Sequence, residues 1–186
     1  MRVILASASP RRKEILSRIC SVFSVEPARC GEEVEGEPAP EELTLLLARR
    51  KAEEVASRFP DAAVLAADTV VWFEGRALGK PKDAADAAAT LSLLSGREHA
   101  VYTGWCLLSP KGGRCGVCRT EVTFRELDTA FIAAYVASGN PLDKAGSYGI
   151  QDEPSPVLRY RGSLTNVIGL PQEEIARAFQ EIGVLV

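Results

Sequence analysis

Residues 4–14 read Ile4-Leu5-Ala6-Ser7-Ala8-Ser9-Pro10-Arg11-Arg12-Lys13-Glu14. The order of residue types gives a strand, a turn and the start of a helix. Val3 to Leu5 is the short apolar run of a buried strand. Small and hydroxyl residues follow; Ser9 suits a helix N-cap and Pro10 the first helical position. Arg11 and Arg12 then stand at the wrong end of the helix, because its free N–H groups and partial positive charge favour anions. A phosphate resolves this: backbone N–H groups, the Ser7 and Ser9 hydroxyls and two guanidinium groups would converge on it. The competing reading is a capped surface helix with solvated arginines.

Working outward, Val22, Phe23 and Val25 suggest a second short strand. Residues 27–40, rich in proline and glutamate, read as a loop. Leu43, Leu46, Leu47, Lys51 and Val55 fall at near-helical spacing and predict a helix over 41–59. Ala62 to Phe73 is apolar except at Asp68 and Thr69, and Glu74-Gly75-Arg76 predicts a hairpin turn. Asp83 caps a helix from 84 to about 94 that Gly96 ends. Residues 99–108 and 114–126 predict strands around Pro110-Lys111-Gly112-Gly113. Asp128 starts the next helix and Gly139 stops it. Residues 140–165 are weakly patterned, and so long a segment in a compact domain is more often functional than idle. Asn166-Val-Ile-Gly-Leu-Pro171 leads to a final helix. Strands and helices alternate with hairpins between them, which predicts an α/β fold on a mixed, twisted sheet flanked by helices, as one domain over 1–186.

The chain has 186 residues, of which 46% are hydrophobic and 25% charged, with a formal net charge of -3. These values suit a globular protein and argue against nonspecific binding to nucleic acid, while leaving room for a local basic pocket. No apolar run reaches the roughly 20 residues of a membrane span. No signal-peptide pattern opens the chain, so the cytoplasm is the expected location. Five cysteines without secretory context are expected as free thiols. Cys115-Gly-Val-Cys118 lacks the second ligand pair of a structural zinc site. The one histidine, His99, opens an apolar run and reads as structural or solvated.

Asp68 interrupts a stretch suited to burial. An unpartnered buried carboxylate is costly, so it should be ion-paired or hold a metal; a strand-end aspartate capping the next turn is the weaker reading. Glu32 and Glu33 lie in the long loop, Lys51 on the apolar helix, and Lys80 between Gly79 and Pro81. Each alone would be an ordinary surface residue. Together with Arg11 and Arg12 they form a set of cations and carboxylates that suits a magnesium–polyphosphate substrate. No G-x-S-x-G, G-x-x-x-x-G-K-[ST] or G-x-G-x-x-G sequence is present, which excludes three common alternatives.

Ser7-Ala-Ser-Pro-Arg-Arg12, Ala67-Asp-Thr-Val-Val71, Leu78-Gly-Lys-Pro81, Leu94-Ser-Gly96, Asp143-Lys-Ala-Gly-Ser-Tyr-Gly-Ile-Gln151 and Asn166-Val-Ile-Gly-Leu-Pro171 occur in that order. The chain thereby resembles the Maf family of nucleoside triphosphate pyrophosphatases along nearly its whole length. The resemblance implies a two-lobed fold around a cleft, similar to the inosine triphosphate pyrophosphatases, and a homodimer. It implies hydrolysis of a nucleoside triphosphate between its α- and β-phosphates, with Mg²⁺ or Mn²⁺. Ser7, Arg11, Arg12, Lys51 and Lys80 would bind phosphates, with Lys80 also counted among the catalytic groups. Glu32 and Asp68 would form the acidic, metal-holding pair, with Asp68 activating or orienting water; Thr69 and Gln151 would read the base. The 143–151 stretch is similar to the branch acting on dTTP, UTP and modified pyrimidine nucleotides. The alternatives are the 7-methyl-GTP branch and a nucleotide-binding regulator of septum formation and cell division.

Two departures from the family pattern stand out. Cys30-Gly31 precedes Glu32 where an aliphatic residue and an acid are usual, which leaves Glu33 as a rival acid. Asp152-Glu153-Pro154 follows Gln151 where glycine is frequent, adding two carboxylates that either sharpen selectivity or face solvent.

Overall fold

The fully apolar strand β1 (Val3–Leu5) has a parallel neighbour on each side, as a strand buried on both faces requires. In the computed structural model, which describes residues 1–184, these neighbours are β2 (Ser24–Val25) and β3 (Ala63–Phe73). Ile4 pairs with Ser24 and Val64, and Leu5 with Val25 and Leu65. The strand order is β2-β1-β3-β5-β6-β7, where β5 is Glu98–Ser109, β6 Gly112–Phe124 and β7 Val157–Arg161, with β4 (Arg76–Leu78) also paired to β3. Parallel and antiparallel pairs both occur, so the sheet is mixed, as the sequence predicts.

The chain divides into two compact units. The first comprises Met1–Thr69, Thr103–Cys118 and the described residues from Gly169 onward. Here α1 (Pro10–Ser17) follows β1, and α2 (Pro40–Arg58) leads to β3. Helix α2 buries Ala48, Ala52 and Val55 against Ile4, Ala6, Val64 and Ala66, which alternate along their strands. Its inward face is turned slightly from the leucine spacing: Thr44 is buried and Leu46 is exposed. Gly104, on β5 (Glu98–Ser109), explains the offset. A Cβ there would stand 2.3 Å from the backbone carbon of Thr44, so strand and helix backbones touch at this point and only glycine permits it. Helix α6 (Gln172–Glu181) completes this unit with Ile175, Ala178 and Phe179 buried.

The second unit comprises Val70–Tyr102 and Arg119–Ile168. Glu74 and Gly75, with φ of 47° and 80°, turn β3 into the antiparallel β4 (Arg76–Leu78). Asp83 and Asp128 cap α3 (Ala84–Leu94) and α4 (Thr129–Ala137), each accepting a backbone N–H of the first turn. The core gathers Val71, Phe73, Leu91, Leu94, Val101, Val122, Phe124, Ile132, Tyr135 and Tyr148. Asn166, on α5 (Leu164–Ile168), is buried and donates through Nδ2 to Val101 O at 3.1 Å and Thr120 Oγ1 at 2.9 Å.

Two expectations change. The weakly patterned 140–165 segment contains two 3-10 turns and β7 (Val157–Arg161), which pairs antiparallel with β6 (Gly112–Phe124). An edge strand with almost every side chain exposed gives no apolar alternation to read. The five cysteines are not all thiols: Cys106 and Cys115 form a disulfide across β5 and β6, with Cα atoms 4.1 Å apart. Cys20, Cys30 and Cys118 are free. Burial, reinforced by Glu174, pushes the Cys118 thiol up to about 12, so it is a poor nucleophile.

His99 is structural. It is 4% exposed, shares a 2.7 Å hydrogen bond with the Tyr148 hydroxyl and meets Phe124 and Tyr148 edge to face. Burial lowers its pKa to about 4, below the ordinary value near 6.5. The unfolded chain therefore binds the extra proton first, and the stability contribution present above about pH 6.5 is lost as pH falls towards 4. We expect wild-type protein to lose about 2 kcal/mol more than His99→Phe between pH 7 and pH 5, by the linkage relation. Urea unfolding at both pH values checks this; parallel losses would contradict it.

Candidate active site

The turn after β1 is built from small polar groups that satisfy one another. Ser9 Oγ accepts the Arg12 N–H at 3.4 Å, so the predicted cap is present. Ser7 Oγ accepts the Ser9 N–H at 3.2 Å and the Arg12 Nη1 proton at 3.3 Å. The Arg12 guanidinium also donates through Nε to Gly169 O at 2.8 Å and through Nη2 to Thr69 Oγ1 at 3.0 Å. Thr69 Oγ1 lies 2.9 Å from Thr103 Oγ1. Arg12 is thus not a solvated arginine. It ties α1 to β3 and to the segment before α6, and these three bonds use three of the five N–H groups a guanidinium carries. Burial lowers its pKa, opposed by the charges of Asp68 and Glu32 and reinforced by that of Arg11.

The second part of the site is an ion-paired triad. Lys51, in the middle of α2, reaches Asp68 Oδ1 at 2.7 Å and Glu32 Oε1 at 2.5 Å. The Lys51 and Asp68 side chains are 12% and 15% exposed, Glu32 67%. Burial works against the ammonium, but the charge and hydrogen bonds of Asp68 and then Glu32 prevail, and the Lys51 pKa is raised. Asp68 is therefore partnered, as its place in an apolar strand demands. Glu32, not Glu33, reaches the lysine; Glu33 contributes its carbonyl to Arg50 at 2.8 Å. One ammonium against two carboxylates leaves the triad negative.

Ser7, Arg12, Thr69, Glu32, Lys51 and Asp68, with Arg11 on α1, all belong to the first unit. Lys80 and Gln151 belong to the second and are exposed. Within that unit, the Gly146 N–H donates to Gly79 O at 3.0 Å, which ties the Lys80 turn to the 143–151 stretch. Gly146 itself has φ of 68°, and a Cβ there would come within 2.9 Å of Val71. Sequence reasoning missed Thr103 and the Gly169 carbonyl. Gly169 was legible only as a motif glycine; its φ of 122° and the 3.3 Å approach of Arg12 Nε to a Cβ placed there explain the residue type.

Residues 2–182 match the Maf-like protein family. A protein of Thermococcus gammatolerans named dTTP/UTP pyrophosphatase is 48% identical over 182 residues, covering 97% of this chain and 96% of its own. One of Syntrophus aciditrophicus with the same name is 45% identical over 187 residues, covering 99% and 91%. A solved dITP/XTP pyrophosphatase of Mycobacterium abscessus aligns over 100% of this chain and 99% of its own with 20% identity and a TM-score of 0.46.

Arg12→Lys keeps the charge but cannot reach three acceptors in three directions. We expect it to lose about 2 kcal/mol of stability, the scale of hydrogen bonds to a charged donor. The urea midpoint should fall with the m-value unchanged; an unaltered midpoint would show that the three contacts carry no net stability.

Proposed function

We propose that this chain, which belongs to the Maf family over residues 2–182, hydrolyses dTTP, UTP and modified pyrimidine nucleoside triphosphates to the monophosphate and pyrophosphate. The Glu32–Lys51–Asp68 triad beside the Arg11–Arg12 helix start is the observation that carries the proposal. It sets a negative, carboxylate-rich group next to cations, the complement of a metal–polyphosphate substrate. Full-length similarity to proteins named dTTP/UTP pyrophosphatase supports the nucleotide class.

In this reading a water molecule attacks the α-phosphorus and the bond to the α,β-bridging oxygen breaks, so that pyrophosphate leaves with the negative charge. Asp68 orients that water and takes its proton, a general-base contribution of about 10²- to 10⁴-fold. Lys51 holds both carboxylates in position through its two ion pairs. Ser7, Arg11 and Arg12 hold phosphate oxygens with the α1 N-terminus, and Lys80 contributes a further cation to the phosphates. Gln151, assisted by Thr69, reads the base: its amide has both a donor and an acceptor, matching the N3–H and carbonyl edge of uracil and thymine.

Among the described residues, no three of His, Cys, Asp and Glu gather into a protein-only metal cage. Two carboxylates nevertheless fit Mg²⁺ or Mn²⁺, since Mg²⁺ is usually held by one or two carboxylates and completes its shell with water and substrate phosphates. Glu32 and Asp68 are the residues that would hold it, and the ion would neutralise charge on the phosphate oxygens. None of the described helices is long and apolar enough to cross a membrane. The proposed enzyme works in the cytoplasm as a homodimer; a monomer mass by light scattering would remove the second half of that statement.

The test is pyrophosphate release from dTTP, UTP, CTP, 5-methyl-UTP, ITP, GTP and 7-methyl-GTP with Mg²⁺ or Mn²⁺. We expect preference for dTTP and UTP, loss of activity with excess chelator, and a fall of about 10³-fold in Asp68→Asn, within the general-base range. Preference for 7-methyl-GTP would move the chain to the other branch. Tight nucleotide binding without turnover would favour a regulatory protein, and full activity in Asp68→Asn would remove the role given to Asp68.

A further inference from the structure

The residues after Gln151 depart from the family pattern, and the fold uses one of them. Glu153 is exposed, but the Asp152 side chain is 15% exposed. Its Oδ2 accepts the Gly149 N–H at 3.1 Å and the Tyr135 hydroxyl proton. The Tyr135 oxygen accepts the same Gly149 N–H at 3.0 Å, and the Asp152 N–H donates to Gly149 O at 3.1 Å. The turn Gly149–Asp152 is therefore closed through both backbone and carboxylate and anchored to α4 through Tyr135.

Two independent features show that this turn is built around the carboxylate. A Cβ on Gly149 would stand 2.6 Å from Asp152 Oδ1, so the tight closure tolerates only glycine at that position. Lys144 Nζ lies 3.8 Å from Asp152 Oδ2 while bonding Asp143 Oδ1 at 3.0 Å and the Asn140 carbonyl, which places a cation at the carboxylate's open side. Burial, and next the bond to Asp152, hold the Tyr135 phenol above the ordinary tyrosine range, so it remains a donor. Gln151 is the exposed residue inside this locked turn.

We propose that Asp152 is a positioning residue for base selectivity: by closing the Gly149–Asp152 turn onto Tyr135 it fixes the backbone from which Gln151 presents its amide, and with it the choice of uracil and thymine over cytosine. This rests on the base-reading role given to Gln151 above. Cytosine reverses the donor and acceptor at the corresponding edge, so an amide carried on a mobile turn could meet either base from several directions, whereas one carried on a fixed turn meets the edge from a single direction. Holding the turn in place also removes an ordering cost from binding, which lowers KM without changing the chemical step.

The test is a comparison of kcat and KM for dTTP, UTP and CTP in wild type, Asp152→Ala, Asp152→Asn, Tyr135→Phe and Gln151→Ala. Asp152→Ala is expected to raise KM for dTTP and UTP about tenfold, on the scale of one lost hydrogen bond, and to narrow the preference over CTP by a similar factor. Asp152→Asn, whose amide oxygen still accepts the Gly149 N–H, should recover most of both, and Tyr135→Phe should fall between. A uniform fall in kcat for all three nucleotides with the preference intact would overturn the proposal in favour of a structural role; so would unchanged KM values. Should Asp152→Ala fail to fold, Tyr135→Phe retains the carboxylate and is judged by the same criteria. Altered selectivity in Gln151→Ala with none in the Asp152 and Tyr135 variants would overturn the positioning role alone. Unaltered selectivity in Gln151→Ala would remove the base-reading role and this proposal with it.

Discussion

A carboxylate in the middle of an apolar strand constrains everything around it. Asp68 lies on β3, between Ala67 and Thr69, in a run whose neighbours Ala63 to Ala67 are fully buried. Leaving its charge unpartnered would cost several kcal/mol, so a cation must reach it from another element. Lys51 does so because α2 packs its small residues Ala48 and Ala52 against the sheet. Small side chains bring the helix close, and the lysine stem spans the remaining distance to place its ammonium on Asp68. The same ammonium then captures Glu32 from the long loop. The packing of α2 and the placement of the acidic loop both follow from one pairing. Gly104, where the α2 backbone touches β5, serves the same close approach from another strand.

The parts of the fold that could be read in the sequence are those where side-chain type and local geometry agree. Ser9-Pro10, Asp83 and Asp128 mark helix starts through their own hydrogen bonds, and Glu74-Gly75 marks a hairpin by its positive φ values. Asp68 was legible as a partnered acid because its surroundings are apolar, and the choice between Glu32 and Glu33 was not, since one residue of register in a loop leaves no periodic trace. Strand β7 escaped for a related reason: its side chains are exposed on both faces, and an edge strand is held by backbone hydrogen bonds that composition does not encode. The Cys106–Cys115 pairing depends on hairpin register, and the partners of Arg12 depend on a carbonyl 157 residues away; neither is a local property.

The Gly149–Asp152 turn illustrates how a departure from a motif becomes structure. Two extra carboxylates after Gln151 are equivalent in the sequence, yet one is half-buried and held by hydrogen bonds while the other is exposed. The difference comes from Tyr135, which α4 presents from 17 residues earlier in the chain. A charge next to a flexible amide becomes a brace only when a donor on a rigid element meets it.

The two half-buried cations of the first unit show why ligand type matters more than charge count. Arg12 is held by a carbonyl and two hydroxyls, all neutral, so its contacts position it without cancelling its charge. Lys51 is held by two carboxylates, and the group as a whole is negative. Had the partners been exchanged, an arginine gripped by carboxylates would offer little attraction to a phosphate, and a lysine among hydroxyls would repel a divalent cation. Neutral acceptors around Arg12 and acidic ones around Lys51 keep two regions of opposite sign distinct within one unit of the chain. That separation of charge is what the proposed substrate, an anion carrying a divalent cation, would require.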